Sequence, residues 1–78
     1  MSDRLPAVTP KQLIRVLAQR GWEVDRVRGS HHVLVHPQRQ RVIVVPVHNR
    51  ELKVGTLAAI LRNAGINGEE LLTLLRRR

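Results

Sequence analysis

The sequence predicts a small α+β domain in which helices pack on one face of a three-stranded antiparallel sheet. Three observations carry that prediction. Apolar residues recur at helical spacing near both ends of the chain, behind recognisable capping residues. Between them lie three short runs with strand character, separated by connections of only a few residues. The whole chain has 78 residues, a length that buries roughly 60% of the unfolded surface and supports one core.

The first helix starts at Thr9-Pro10-Lys11-Gln12. Thr9 caps, Pro10 suits the first helical position, Gln12 completes a capping box, and Val8 and Leu13 are placed to staple the entry. Leu13, Ile14, Leu17 and Ala18 supply the apolar face, and Gly21 stops the helix after about Arg20. Trp22 to Arg28 alternates apolar with charged residues and reads as a strand ended by Gly29-Ser30. His31 to His36 is the second strand, Pro37-Gln38-Arg39-Gln40 a polar turn, and Arg41 to Val45 the third strand, stopped by Pro46. Thr56 is the expected cap of a helix carrying Leu57, Ile60, Leu61 and Ala64, closed by Gly65. Asn67, with Glu70 three residues later, opens a short C-terminal helix of Leu71, Leu72, Leu74 and Leu75, whose end carries Arg76 to Arg78. Residues 1–78 form a single domain with its core at about 9–66. The same succession, α-β-β-β-α with an extra short helix, occurs in double-stranded-RNA-binding domains, and it leaves one sheet face free for contact.

Composition narrows the partners. Fourteen Lys and Arg against six Asp and Glu give a formal net charge of +8, a field that attracts polyanions such as RNA and suits an acidic protein equally well. The absence of cysteine removes disulfides, zinc thiolates and thiol nucleophiles. No apolar run reaches the roughly 20 residues of a membrane span, and no signal-peptide pattern opens the chain, so the expected compartment is the cytoplasm.

Histidines 31, 32, 36 and 48 are the side chains that titrate near neutrality when unperturbed. As metal ligands their spacing matches no zinc signature, and no metal or other cofactor is expected. As an acid or base, one of them would move the proton of an RNA 2′-hydroxyl or of the departing 5′-oxygen, while Arg28, Lys53 and nearby arginines balance the charge on phosphorus. His31 is the leading candidate, because it follows Gly29-Ser30 at a strand start, where a tight turn lets a phosphate come close. Its strand phase groups it with Val33 and Val35, opposite Leu34, and periodicity alone leaves open which face is wet. His32 reads as a partner of the sheet and His36 as a turn residue. For His48, an auxiliary proton-transfer role, a phosphate contact and a plain loop position compete, the last two with more weight. Trp22 reads as a hydrophobic anchor rather than a base-stacking platform. Arg26, Arg28, Arg39, Arg41, Arg50 and Lys53 gather near the predicted strand ends as a phosphate track. Gly55-Thr56 reads as a cap more readily than as a phosphate site.

Gly21-Trp22, Arg28-Gly29-Ser30-His31-His32, Val45-Pro46 with His48, Lys53, Gly55-Thr56-Leu57, Ile60-Leu61 and Ala64-Gly65 stand in one order and spacing over about residues 9–66. In these segments the chain resembles the HicA (YcfA/HicA) toxins of type II toxin-antitoxin systems. The resemblance implies a double-stranded-RNA-binding-domain-like fold and a metal-independent mRNA endonuclease, an mRNA interferase. His31 would be its catalytic residue, Arg28, Gly29, Ser30 and Lys53 would meet RNA, and a HicB-like antitoxin would cover the active surface. The alternatives are a basic RNA-binding module that cuts nothing and, with less weight, a purely protein-binding basic domain.

Overall fold

A computed structural model describes residues 5–77. The elements run α1 (Pro10–Gln19), β1 (Glu23–Arg28), β2 (His31–His36), β3 (Arg39–Pro46), α2 (Val54–Ala64) and α3 (Gly68–Arg76). The three strands form one antiparallel sheet in the order β1-β2-β3, so the expected α+β architecture is the one the chain adopts.

The capping box closes α1 as its sequence requires. The Gln12 N–H donates to the Thr9 hydroxyl at 3.2 Å, and the Thr9 N–H donates to Oε1 of Gln12 at 2.9 Å. Val8 and Leu13, the two ends of the staple, are both fully buried. The apolar face differs from the expected one. Leu13, Val16 and Leu17 are buried, Ile14 is partly buried, and Ala18 is exposed. The buried stripe centres on the Leu13–Leu17 axis; Val16 lies three residues from Leu13 on that stripe, whereas Ala18 is rotated about 100° beyond Leu17. At the helix end Gly21 takes φ +95°, and the Trp22 N–H returns to the Leu17 carbonyl at 3.1 Å.

Arg28 pairs with His31 across Gly29-Ser30, a two-residue hairpin connection. Gly29 has φ +56°, and no non-glycine residue among those described has positive φ. Glycine in the first central position and an ordinary Ser30 in the second match the type II′ turn that suits the strand twist. The second turn is also tighter than expected: His36 pairs with Arg39 across Pro37-Gln38. Arg39 and Gln40 therefore belong to β3, and Pro46 is its last residue rather than the residue beyond it. Proline is tolerated there because β3 is an edge strand, where a missing N–H need not break the ladder.

The core gathers Leu34, Ile43 and Val45 from one sheet face with Val16, Leu17, Trp22, Leu57, Ile60 and Leu61. The helices pack chiefly on β3, with α3 against α1, whereas all six residues of β1 are exposed. The second helix begins at Val54, with Lys53 as an N-cap that makes no side-chain capping bond. Thr56 thus sits inside the first turn and does not cap. Asn67 does cap α3, accepting the Glu70 N–H at 2.8 Å. That helix buries Leu71 and Leu74, holds α1 through the Arg20–Glu70 ion pair, and receives a hydrogen bond from Nε2 of Gln19 at its Leu74 carbonyl, 2.9 Å away. The segment before α1 is likewise part of the fold. The Val8 carbonyl accepts the Leu52 N–H at 2.8 Å, and Leu5 packs against the core. Residues 1–4, and Arg78 of the terminal arginine run, lie outside the described residues.

Candidate functional site

Pairing settles the face on which each β2 side chain stands. His32 opposes Val27 and Val45, and Leu34 opposes Val24 and Ile43. With Leu34, Ile43 and Val45 buried, this is the side that the helices cover. His31, opposite Arg28 and Pro46, therefore points to the helix-free side and is exposed. On that side Val42 and Val44 are exposed, Val35 is half-buried and Val33 is buried beside Arg26, with His31 and Arg28 at one end.

The turn that carries His31 is tied to the chain leaving β3, because the Val47 N–H donates to the Ser30 carbonyl. Pro46, the strand partner of His31, is also the first residue of a cleft of about 760 Å³ lined by His48, Arg50, Glu51, Lys53 and Thr56. Ser30 thus ties the hairpin of Arg28 and His31 to the chain entering the His48–Lys53 loop at one end of the sheet. Within that loop the Arg50 N–H donates to Nδ1 of His48 at 3.4 Å, which orients the imidazole and leaves Nε2 for other partners. Arg50 and Lys53 belong to the expected phosphate track, whereas Asn49 and Glu51 are cleft residues that motif reading did not single out. Their signal is the polar stretch between a strand-ending Val-Pro and the next helix.

The expected phosphate track divides. Arg41 donates to Oδ1 of Asn63 at 3.3 Å, and Arg39 to the Asn63 carbonyl at 3.5 Å. Both are thereby held at the C-terminal end of α2, the far end from Lys53. Arg28, Arg50 and Lys53 remain at the His31 end.

The other histidines separate by environment. His36 is fixed on both nitrogens: Nδ1 accepts the Gln38 N–H at 3.0 Å, and Nε2 lies 2.9 Å from the Arg20 carbonyl. These partners suit the tautomer with the proton on Nε2, and the ring is edge-on to Trp22 at a centroid distance of 5.2 Å. It is a strut between the α1 exit and the β2–β3 turn. Nδ1 of His32 is buried without a hydrogen-bond partner. Trp22, 2% exposed, is enclosed in the core and offers no face to a base. Among the described residues no group of three or more His, Cys, Asp or Glu is arranged to hold a metal ion, and no helix is long and apolar enough to cross a membrane.

No curated protein matches the chain. The family model described as "HicA toxin of bacterial toxin-antitoxin" matches residues 10–66, from the first residue of α1 to just past the glycine that ends α2, so that the histidine turn, the cleft and the sheet all fall inside the match. With well over half of its length so matched, the chain belongs to the HicA toxin family and is a toxin of a toxin–antitoxin system, the partner of an antitoxin.

Proposed function

We propose that the protein is a metal-independent endoribonuclease that cuts mRNA with His31 as general acid or base. The single observation that carries this reading is the placement of an exposed imidazole on the helix-free face, at the end where the Ser30–Val47 bond joins its turn to the polar cleft in which His48, Arg50 and Lys53 stand with Glu51. An RNA strand whose scissile phosphate lies at His31 brings a neighbouring phosphate to that cleft. His31 takes the 2′-hydroxyl proton as that oxygen attacks the adjacent phosphorus, or delivers a proton to the 5′-oxygen as its bond to phosphorus breaks. The products are a 2′,3′-cyclic phosphate and a free 5′-hydroxyl. Such proton transfer gives about 10²- to 10⁴-fold acceleration, and the guanidinium of Arg28, on the strand position opposite His31, adds charge stabilisation as negative charge builds on the phosphorane. His48 contributes a phosphate contact through Nε2, a reading supported by the Arg50 N–H that occupies Nδ1. A HicB-like antitoxin neutralises the toxin by covering this face, whose exposed valines with their arginine rim suit an apolar surface edged with carboxylates.

The test is His31→Ala with purified protein and a defined mRNA. We expect an unchanged melting temperature, loss of cleavage and loss of growth arrest, while EDTA leaves the wild type active. A substrate with a 2′-deoxyribose at the cut position should resist. Undiminished cleavage by His31→Ala overturns the assignment. RNA that is bound in a salt-sensitive way and left intact by the wild type identifies a binding module instead.

A further inference from the structure

We infer that β1 is a self-pairing edge through which two copies of this chain join their sheets. The strand reads Glu-Val-Asp-Arg-Val-Arg over residues 23–28. Laid antiparallel against a second copy about an axis between Asp25 and Arg26, it sets Glu23 opposite the second copy's Arg28, Val24 opposite Val27, and Asp25 opposite Arg26, each pair occurring twice. Every charged residue meets its opposite, and every valine meets a valine. Opposed charges and apolar pairs across an antiparallel ladder each stabilise it.

The bulge makes this register possible. In an unbroken strand, residues three or five apart face opposite sides, and this axis would set inward side chains against outward ones. In β1 the ladder slips between Val24 and Arg26, which shifts the phase by one. Glu23 and Arg28, paired with Val35 and His31, then share the helix-free side, while Val24 and Val27, paired with Leu34 and His32, share the other. The facing residues of these two outer pairs agree on both sides of the sheet; Asp25, at the bulge, already lies 3.9 Å from Arg26 of its own chain, and the outer pairs carry the register.

The strand is also open to receive a partner. It is an edge of the sheet, all six of its residues are exposed, and Val24 and Val27 are 43% and 53% exposed although they lie on the side that carries the core. Charged side chains blunt an edge strand against pairing, but in this register each one faces its opposite rather than its like, which removes the repulsion. Here two acidic and two basic residues cancel within a chain of net charge +8, so that two copies approach along β1 without like charges facing. The outcome is a continuous six-stranded sheet whose two His31 side chains share one face about 20 Å apart.

An edge-only interface falls at the small end of the range for specific association, so we expect a reversible dimer with a Kd of order 10–100 μM. Sedimentation equilibrium on the full chain tests it. Glu23→Arg and Arg28→Glu, each on a fully exposed strand, should each weaken dimerisation at least tenfold, because arginine then faces arginine and glutamate faces glutamate. The double variant Glu23→Arg/Arg28→Glu restores opposite charges and should dimerise as the wild type does. Circular dichroism of each variant confirms that the fold is kept. A wild type that stays monomeric at about 1 mM, far above the Kd expected of such an interface, overturns the proposal. So does a dimer that ignores the single reversals, or a double variant that stays monomeric.

Discussion

Gly21→Ala should be among the most damaging single-methyl additions in this chain. Gly21 holds φ +95°, and a Cβ placed there would lie 2.8 Å from Nε2 of His36. The backbone strain of a non-glycine residue in that region is about 1–2 kcal/mol. The imidazole cannot simply swing aside, because its two nitrogens hold the Gln38 N–H and the Arg20 carbonyl and its edge rests on Trp22. Displacing it forfeits a hydrogen bond of about 1 kcal/mol and part of an aromatic contact of about 0.5–1.5 kcal/mol. The total, about 2–4 kcal/mol, lowers the melting temperature by about 10–25 °C in a domain of this size. Thermal denaturation followed by circular dichroism measures it, and a double-mutant cycle separates the parts. In a His36→Ala background the steric component is gone, so Gly21→Ala should cost only the backbone strain. A loss of under about 4 °C, or an equal cost in both backgrounds, refutes the reasoning.

Thr9→Ala removes half of the capping box, and Asn67→Ala the cap of α3; each should cost about 1 kcal/mol, read as a fall of about 4–8 °C in melting temperature. Leu74→Ala, at a buried position on α3, should cost about 2–5 kcal/mol in urea denaturation, showing that the helix beyond the family match is part of the folding unit. Lys53→Ala should lower RNA affinity and reduce the slope of log K against log salt by about 0.7, the contribution of one phosphate on a single strand, whereas Arg41→Ala, held at Asn63, should leave the slope unchanged.

The elements were legible wherever a local chemical signal sufficed. Thr9 with Gln12, Asn67 with Glu70, and Gly29-Ser30 each determine their own backbone, and each is found where the sequence places it. What could not be read carried no such side-chain signal and depended on backbone pairing and packing. The start of β3 at Arg39 is fixed by pairing with His36, and the early start of α2 rests on no capping side chain at all. Ala18 falls outside the buried face and Val16 inside it because the helix face is chosen by where α3 and the sheet lie, and a helix of fewer than three turns constrains that choice weakly. The site shows the same division. The exposed His31 and its turn are local features, whereas its face, its nearness to the Pro46–Thr56 cleft, and the removal of Arg39 and Arg41 to the other end are properties of the sheet register.

The adjacent His31 and His32 sharpen this into a test, since one residue of strand turns otherwise identical side chains to opposite environments. His32 stands on the helix side with Nδ1 buried and unpaired, a state that costs about 1–3 kcal/mol relative to a satisfied or apolar group. Leucine occupies similar space without that atom and meets Val27 and Val45 across the strands. His32→Leu should therefore hold or raise the melting temperature, by up to about 8 °C for each kcal/mol recovered, with RNA cleavage retained. His31→Leu, on the exposed side, should leave the melting temperature nearly unchanged and abolish cleavage. Measuring both properties on both variants crosses fold against chemistry at neighbouring positions. Loss of cleavage in a stable His32→Leu protein would move the catalytic assignment across the sheet, and a marked drop in its melting temperature would show that the buried nitrogen is satisfied in solution.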